Sequence, residues 1–439
     1  MSIYLDNNAT TFMPQKVIKA MVSWSNRGNP SASYTSAKEA RAMMNEFKGA
    51  IGRLCAINTC CEEERDSGDK GSRASRRADG SNYKVIFTSC ASEANCTVIA
   101  AAVDSFTDTL GGTALPHVVA SAVEHKSIIE QLHSLEARGR IEVTFVGVAP
   151  SGHILPKDVL AAIRPNTCLV VVMHANNETG AVNDIAEIGR IAHSKNVPMH
   201  TDTVQSFGKY PIKPVSMNVD SFCISFHKFQ GPPGVGALVI KQQFLDGWRL
   251  PPLIFGSQNE GLRGGTENLP GLGASYEALK LTMEDRLAKN AAAGKIRAFI
   301  MDEIAKAVPT VPYSEYLSTG SSTKNSLEVV WLSGGKADAP KYLPGTILLS
   351  VVKRTGEPAC NVAMKNHLET RGIIISVGSA CNTASPKASH VLYALGADAL
   401  IRKGALRVSI GDVNTIEDGR KFVHEFLTML KEGAGSKKK

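Results

Sequence analysis

A lysine directly behind a short apolar run has the setting that points most clearly to chemistry. Lys228 follows the segment Ser225-Phe226-His227, and the glycine-rich stretch 231–236 comes next. Burial at such a strand end lowers the pKa of a lysine amine and makes it nucleophilic, which suits a Schiff base to an aldehyde cofactor. An isolated His-Lys pair is more often part of a surface loop, so this interpretation depends on the neighbouring motifs.

An aspartate stands behind a second apolar run. Asp202 follows the predicted strand that ends at His200, and Gln205 comes three residues later. A pyridine ring acts as an electron sink only while its nitrogen is protonated, and a carboxylate against that nitrogen keeps it so. A single aspartate after a strand is more commonly a helix cap.

Three further strand ends carry compatible side chains. The small residues 88–92 open a helix whose free N–H groups suit a phosphate. His125 has an imidazole that can stack on a planar cofactor and move protons. The run 174–180 holds Asn176 and Asn177, and an amide side chain there can donate to a phenolic oxygen. Each has a more ordinary interpretation alone, but five strand ends with matching chemistry predict one cofactor site.

A cysteine and an arginine in the C-terminal part complete the set. Cys381 lies in the run 376–385 of small, mostly polar residues, an accessible setting in which a thiol acts as a nucleophile once its pKa is lowered. Arg407, on a predicted strand, carries a guanidinium fork that fits the carboxylate of an amino acid. The ordinary alternatives are an inert cysteine and a structural salt bridge.

The elements that must position these residues alternate between short apolar runs and helical patterns. The runs are continuously apolar, as in strands covered on both faces, and this predicts an α/β domain with a largely parallel sheet. Ligands of such sheets gather beyond the carboxyl ends of the strands. The predicted strands are 84–87, 117–120, 142–146, 168–173, 197–200, 221–224 and 236–240.

The pattern changes at an insertion and again after about Ala274. Residues 60–82 are rich in Ser, Gly, Arg, Asp and Glu, which predicts a flexible surface insertion. Residues 318–341 form a second loose region with one apolar patch. After Ala274 we predict a smaller α+β domain, with a long helix to Ala307, strands at 346–352, 373–376 and 406–410, and a closing helix near 417–430.

The composition excludes several protein classes. With 439 residues, 43% hydrophobic and 21% charged, the chain predicts a soluble globular protein of two or three domains. It has no run of eighteen apolar residues and no basic-apolar leader, so we expect no membrane association and a cytoplasmic location. The net charge of +8 forms no long basic stripe, which argues against a nucleic-acid partner. Nine cysteines without a CxxC pair predict neither a disulfide scaffold nor a metal site.

Taken together, these motifs resemble the cysteine desulfurases of the class-V aminotransferases, which use pyridoxal 5'-phosphate. The resemblance runs nearly end to end, and each motif is weak alone but specific in this order and spacing. The motifs are Tyr4–Thr11, Asn176-Asn-Glu, His200-Thr-Asp-Thr-Val-Gln205, Ser225-Phe-His-Lys228, Gly261-Leu-Arg-Gly-Gly-Thr-Glu-Asn268 and Gly378-Ser-Ala-Cys381.

The resemblance implies a role for each residue. Lys228, Cys381 and His125 would be catalytic, as Schiff-base lysine, sulfur acceptor and ring-stacking histidine. Asn177 and Arg407 would bind the substrate carboxylate. The cofactor would be held by Ala91, Ser92, His125, Asn177, Asp202, Gln205, Ser225, His227, Lys228 and, from the partner subunit of a homodimer, Thr266.

The resemblance also implies a fold and a reaction. The fold is that of fold-type I transferases, with a mixed, mostly parallel seven-stranded sheet. The implied reaction converts L-cysteine to L-alanine, and the sulfur passes to Cys381 as a persulfide and then to an acceptor such as an iron–sulfur scaffold protein. The implied units are an N-terminal arm (1–13) joining the small domain, a large domain (14–274), a small domain (275–434) carrying a mobile cysteine loop, and a basic tail (435–439).

Several positions depart from the family pattern. Cys90 and Ser92 replace the usual glycine and threonine of the phosphate turn, and a cysteine there would be strained if φ were positive. The other departures are Tyr34 for histidine, Pro233 for lysine and Asn259-Glu260 for Glu-Arg. Two alternatives stay open: a selenocysteine lyase or related β-eliminating enzyme on the same scaffold, and a non-catalytic scaffold for sulfur-trafficking proteins.

Overall fold

The computed structural model describes residues 2–59, 82–109, 114–247, 252–319, 327–335, 338, 341–353, 359–377 and 389–433. Cys381, most of the predicted insertion and the predicted basic tail lie outside the described residues. Within the described ranges, no helix is both long enough and apolar enough to cross a membrane.

The strands form one large sheet, one small sheet and one isolated pair. In the large sheet the order is β2-β3-β9-β8-β7-β6-β4-β5, and every neighbouring pair is parallel except those made by β9. The strands are β1 (Ile3–Tyr4), β2 (Asn58–Thr59), β3 (Asn82–Thr88), β4 (His117–Ser121), β5 (Glu142–Val146), β6 (Thr167–Val171), β7 (Met199–Asp202), β8 (Ser221–Ser225), β9 (Gly236–Lys241), β10 (Thr310–Pro312), β11 (Leu327–Trp331), β12 (Thr346–Lys353), β13 (Ile373–Ile374) and β14 (Ala405–Ser409).

The central strands of the large sheet are buried along their whole length. All residues of β4, β6, β7 and β8 are buried, because helices cover both faces of the sheet. The helices are α1 (Gln15–Trp24), α2 (Thr35–Cys55), α3 (Ala91–Thr109), α4 (Lys126–Ala137), α5 (Pro156–Ala162), α6 (Ile185–Ser194), α7 (Gln242–Gly247), α8 (Leu269–Glu284), α9 (Arg286–Ala307), α10 (Tyr313–Thr319), α11 (Asn361–Thr370), α12 (His390–Ala394), α13 (Ala399–Gly404) and α14 (Ile416–Lys431).

The small sheet has its own core. Its order is β10-β11-β12-β14, and α9 and α14 contribute Ile300, Ile304 and Phe422 to the cluster that also holds residues of β12 and β14. The chain start belongs here, because β1 pairs with β13 and Leu5 is buried in the same cluster. These contacts support the proposal of an N-terminal arm joined to a small domain.

The predicted fold class is confirmed, with local differences. Among the described residues, a two-residue edge strand, β2, brings the large sheet to eight strands rather than seven. Part of the predicted loose region is the strand β11. The predicted long helix before Ala307 is two helices that meet at Asp285, and the proposed boundary at 274/275 falls inside α8. We therefore propose to place the division between domains at Asp285.

Candidate active site

A cavity of about 410 Å³ opens at the carboxyl end of the large sheet. Its size falls in the range of ligand pockets. All the described residues that the sequence predicted for one site line it, except Thr266. They are Ala91, Ser92, His125, Asn177, Asp202, Gln205, Ser225, His227, Lys228 and Arg407.

Asp202 is the last residue of β7 rather than a loop residue behind it, and it is 4% exposed. Its Oδ2 accepts a hydrogen bond of 3.0 Å from Asn95 Nδ2, and its Oδ1 accepts one of 2.9 Å from the N–H of Val204. The Asn95 Oδ1 in turn accepts from His200 Nε2 at 2.9 Å. Because burial lowers the pKa of His200 to about 4, this ring is neutral at pH 7 and donates only through Nε2.

His125 borders the cavity as the N-cap of α4. Its Nδ1 accepts from the Ser127 N–H at 3.2 Å, so the proton of the neutral ring sits on Nε2. Burial by the surrounding protein lowers the pKa of His125, the Asp202 carboxylate opposes this, and the Lys228 charge adds to it. The ordinary interpretation as a helix cap and the predicted functional one therefore hold together.

Lys228 ends a short 3-10 turn directly behind β8. Its Nζ donates to the backbone oxygens of Asn8 and Ala9, both at 2.8 Å, and Gln205 Nε2 donates to the same Asn8 oxygen at 3.0 Å. The N-terminal segment also contacts His227, whose Nδ1 lies 3.1 Å from Thr10 Oγ1. Burial, helped by the Lys228 charge, lowers the pKa of His227 to about 4.

The turn from β3 into α3 has the features of an anion-binding site. The first N–H groups of α3, at Ala91 and its neighbours, have no acceptor within the helix, and the helix dipole favours negative charge there. Strand β9 packs so closely that a Cβ on Gly236 would lie 2.5 Å from the carbonyl carbon of Cys90. Cys90 itself has a negative φ, so the cysteine in place of a glycine is not strained.

Arg407 lies at the opposite end of the cavity and is 2% exposed. One guanidinium nitrogen is 2.6 Å from Asp6 Oδ1, and another donates to the Asn177 carbonyl at 3.2 Å. Its Nε is buried without a hydrogen-bond partner. The salt bridge expected as the ordinary alternative is thus present, and the Nε of the guanidinium is left without a hydrogen-bond partner.

Thr266 is exposed and does not line the cavity of its own chain. Its loop is attached to the phosphate turn through Arg263, whose Nε lies 2.9 Å from Glu93 Oε1. Burial raises the pKa of Glu93, but hydrogen bonds from Arg263 and Ser89 outweigh it and the pKa is lowered overall. The role predicted for Thr266 in a partner's site stays a prediction.

Four polar residues at the site were not predicted from the sequence. Asn95 is on α3, where a buried amide in an otherwise apolar face was the available signal. Glu178 lines the cavity with Oε2 unpartnered, and burial raises its pKa. His390 also lines the cavity and donates from Nε2 to the Glu124 carbonyl at 2.9 Å. Burial raises the pKa of the Glu124 carboxyl to about 8.

The residues present fit pyridoxal phosphate. A helix N-terminus suits the phosphate, Asp202 suits a protonated ring nitrogen, and Lys228 suits the aldehyde. Gln205 Nε2 donates to the Asn8 carbonyl, while the buried Gln205 Oε1 has no partner and is an unused acceptor at the cavity. Buried polar groups are normally hydrogen-bonded, so orphaned atoms of Gln205, Glu178 and Arg407 on one cavity indicate a polar ligand.

Comparison with known proteins agrees with this geometry. The family described as Aminotransferase class-V matches residues 78–318. The chain is 30% identical over 419 residues to "Cysteine desulfurase IscS" of Dictyoglomus turgidum, covering 95% of this chain and 91% of the relative. It is 31% identical over 420 residues to the protein of the same name from Methanosarcina thermophila, covering 95% and 89%.

Solved structures agree as well. A NifS-like protein superposes with a TM-score of 0.77 at 25% identity, covering 98% of this chain and all of that one. The structure described as SspA in complex with cysteine gives a TM-score of 0.71 at 27% identity, covering 94% and 99%.

Proposed function

Because the chain belongs to the aminotransferase class-V family, whose members are pyridoxal-phosphate-dependent enzymes, we propose that it is a cysteine desulfurase. It converts L-cysteine to L-alanine and transfers the sulfur to Cys381 as a persulfide. The observation that carries the proposal is one cavity lined by Lys228, Asp202, His125 and Arg407. The name of the relatives and the cysteine bound to SspA support the choice of substrate.

The half of the cavity proposed for the cofactor is lined by the start of α3, Asp202 and Lys228. When bound, pyridoxal phosphate supplies an aldehyde for imine exchange and a ring that withdraws electrons from the substrate α-carbon. Asn95 and the Val204 N–H hold both oxygens of Asp202, so its carboxyl group is oriented in advance and would pair with the ring nitrogen. The Lys228 amine takes the proton from the α-carbon, and His125 offers the proton on Nε2 to the reacting atoms.

The half of the cavity proposed for the substrate is lined by Arg407 and Asn177. Arg407 binds the carboxylate of cysteine through its fork, and this fixes which face of the α-carbon meets Lys228. The Cys381 thiolate attacks the substrate sulfur, an S–S bond forms and the Cβ–S bond breaks. The electron pair stays with Cβ, which takes a proton to give alanine.

The chain leading to and from Cys381 supports this assignment. On one side, Ser376 exchanges backbone hydrogen bonds of 3.1 and 2.7 Å with Arg407. On the other side, His390 lines the cavity and donates from Nε2 to the Glu124 carbonyl at 2.9 Å. Both ends of the segment that carries Cys381 are therefore attached to residues of the active-site wall.

We further propose a homodimer in which Thr266 reaches the partner's phosphate site. Beside its loop, Leu253, Ile254 and Phe255 expose 46%, 39% and 81% of their surface. The Gly264 N–H donates to the Ile254 carbonyl at 2.7 Å, so this apolar segment is joined to the Thr266 loop. An exposed apolar patch next to an exposed site residue is typical of a subunit interface.

The persulfide passes to an acceptor protein, for which an iron–sulfur scaffold is our proposal. Such chemistry needs reduced thiols, and the cysteines in the described part of the chain are free: Cys55, Cys90, Cys96, Cys168, Cys223 and Cys360. This supports a reducing compartment, which we propose to be the cytoplasm.

Replacement of the acceptor thiol tests the proposal. In Cys381→Ala we expect alanine formation from L-cysteine to fall by about 10³-fold or more, with no protein persulfide. Cys360→Ala removes a half-buried thiol that does not line the cavity and serves as the matched control. Alanine, sulfide and persulfide are measured together. Wild-type alanine formation in Cys381→Ala would overturn the proposed function.

A further inference from the structure

A second, smaller cavity lies behind Lys228. It has a volume of about 50 Å³, and it shares with the active-site cavity only Asn8 and Lys228. It sits where the large sheet meets the small domain: Lys209 comes from the large domain, Arg286 and Lys289 from α9, and Asp412 from the chain just after β14. Lys228 thus forms a wall between two cavities.

The charges on this cavity are strongly unequal. Lys209, Arg286 and Lys289 carry positive charge, and among the described residues of the lining the only acidic one is Asp412. Lys289 is already engaged, since its Nζ donates to the Leu281 carbonyl at 2.7 Å and lies 3.7 Å from Asp412 Oδ2. The cavity therefore carries a net positive charge beyond what Asp412 offsets.

Two of the cations lack partners. Among the described residues, neither Lys209 Nζ nor the Arg286 guanidinium has a hydrogen bond or ion pair within bonding distance. Burial lowers the pKa of Lys209 to about 8, and the Asp412 charge only partly opposes this. Lys209 and Arg286 are both partly exposed and line the cavity, so both charged groups can donate hydrogen bonds to an anion bound there.

We propose that this cavity binds a small tetrahedral oxyanion, inorganic phosphate or sulfate, between Lys209 and the first turns of α9. The volume decides the class of ligand. A space of 50 Å³ holds about three to five water-sized spheres, which suits a single oxyanion and excludes a nucleotide or a peptide. The ligand is distinct from the cofactor phosphate, whose site at α3 lies on the other side of Lys228. The proposal does not depend on turnover of cysteine.

An oxyanion at this position would connect the two domains. Lys209 lies in the chain behind β7, and the Asn290 side chain of α9 already donates to its carbonyl at 2.6 Å. The anion would add charge-assisted hydrogen bonds across the same junction. Because it would bind the folded protein and not the unfolded chain, occupancy raises the thermal unfolding temperature.

Calorimetric titration tests the site. The full chain is saturated with pyridoxal phosphate, so that the α3 site is filled, and is titrated with sodium sulfate and separately with sodium phosphate. Sodium chloride at equal ionic strength corrects for screening. We expect saturable binding with a Kd of about 1 mM or tighter. Binding of only one of the two anions also supports the site and shows which of them, sulfate or phosphate, it selects.

Variants locate the binding. Arg286→Gln and Lys209→Gln should each weaken binding by about tenfold or more, because each removes a charge-assisted hydrogen bond. Arg138→Gln on the exposed end of α4 is the matched control, and Arg407→Lys tests for binding at the substrate end. Both should bind as the wild type does. Arg286 is partly exposed at the start of α9, so its variant is expected to fold, which thermal unfolding without anion verifies.

Two results would overturn the proposal. One is the absence of saturable binding of either anion to the wild type. The other is wild-type affinity in both Arg286→Gln and Lys209→Gln, or loss of affinity in Arg407→Lys instead. Because the titration uses no cysteine, a failure of desulfurase activity would leave these outcomes unchanged.

Discussion

The two ends of the active-site cavity satisfy their polar groups in opposite ways. Around Asp202, each carboxylate oxygen accepts a hydrogen bond from the protein, and the chain of contacts continues through Asn95 to His200. Around Arg407, the guanidinium Nε and the Glu178 Oε2 are buried without partners. The Asp202 carboxylate is satisfied before any ligand binds, while Arg407 and Glu178 have hydrogen-bonding capacity in reserve.

The difference fits the residence times of the two ligands. A resident cofactor gains from a site whose charges are fixed in advance, because little is reorganised when it binds or reacts. A substrate that enters and leaves on every turnover gains from groups that become satisfied only in its presence. We therefore expect substitutions at the Asp202 end to affect cofactor retention and kcat, and those at the Arg407 end to affect KM.

The largest effect should come from Lys228, which stands between the two ends. In Lys228→Ala we expect alanine formation to fall by about 10⁴-fold or more, because the amine that moves the α-proton is gone. The visible absorption of the cofactor bound through Lys228 should also be lost. Lys16→Ala, an exposed lysine of α1, is the control. Cysteine turnover that survives in Lys228→Ala would contradict the assignment.

The next effect tests the preorganised end. Asp202→Asn replaces the carboxylate with a neutral amide of nearly the same shape, so we expect kcat to fall by about 10²–10³-fold and cofactor to be lost on dialysis. KM for cysteine should change far less. Cofactor content by absorbance and steady-state kinetics give the split. If KM rose and kcat stayed constant, the contrast between the two ends would be wrong.

The substrate end is tested by Arg407→Lys. A lysine keeps the charge but loses the fork, so we expect KM for L-cysteine to rise by about 10–100-fold with a smaller change in kcat. Asp6→Asn removes the partner of Arg407 and leaves the fork in place, so its effect on KM should be smaller. Equal effects of the two variants would show that the Arg407–Asp6 pair, rather than substrate binding, is what matters.

The sequence predicted the chemically reactive residues of the site better than the residues that hold them in place. Lys228, Asp202 and His125 are recognisable because a strand end is a position that the hydrophobic pattern marks clearly. The long apolar runs likewise predicted the central strands of the large sheet. Beyond this, the family resemblance contributed the substrate and the role of Cys381.

What the sequence did not predict are contacts between residues far apart in the chain. Asn95 meets Asp202 across 107 positions, and His390 meets Glu124 across 266, and no local periodicity encodes either pairing. Strand β11 lies in a segment that is polar and rich in Gly and Ser at its borders, so its pairing with β12 decides its structure. No proline marks the break between α8 and α9, so the sequence does not predict where the two helices separate.

A smaller effect concerns Asn95, whose side chain donates a hydrogen bond to Asp202. Asn95→Ala removes the donor to Asp202 Oδ2 and leaves the His200 Nε2 proton buried without an acceptor. We expect a loss of about 1–3 kcal/mol in the free energy of unfolding, measured by urea denaturation, and weaker cofactor retention. Thr107→Ala, further along the same helix, is the control. A change in stability without any change in cofactor retention would make Asn95 purely structural.

The smallest effect concerns Glu124, which precedes His125 in the chain and whose carboxyl accepts from the Met173 N–H at 2.7 Å. Because burial raises its pKa to about 8 in the folded protein, the folded state holds a proton that the unfolded state releases near its ordinary pKa of about 4.3. The stability from this group is thus fully present below that ordinary value and is lost as the pH rises toward 8.

The pH dependence of Glu124 is isolated by difference. The buried histidines, whose pKa values are lowered, act in the opposite sense at acidic pH, but they are the same in the wild type and in Glu124→Gln. The unfolding free energy of the wild type minus that of Glu124→Gln should therefore fall between pH 5 and 8, by at most about 1.4 kcal/mol per pH unit. The exposed Glu130→Gln gives a flat difference if this reasoning holds. A flat difference for Glu124→Gln as well would mean that its carboxyl is ionised in the folded protein, and that the site has a second negative charge near Asp202.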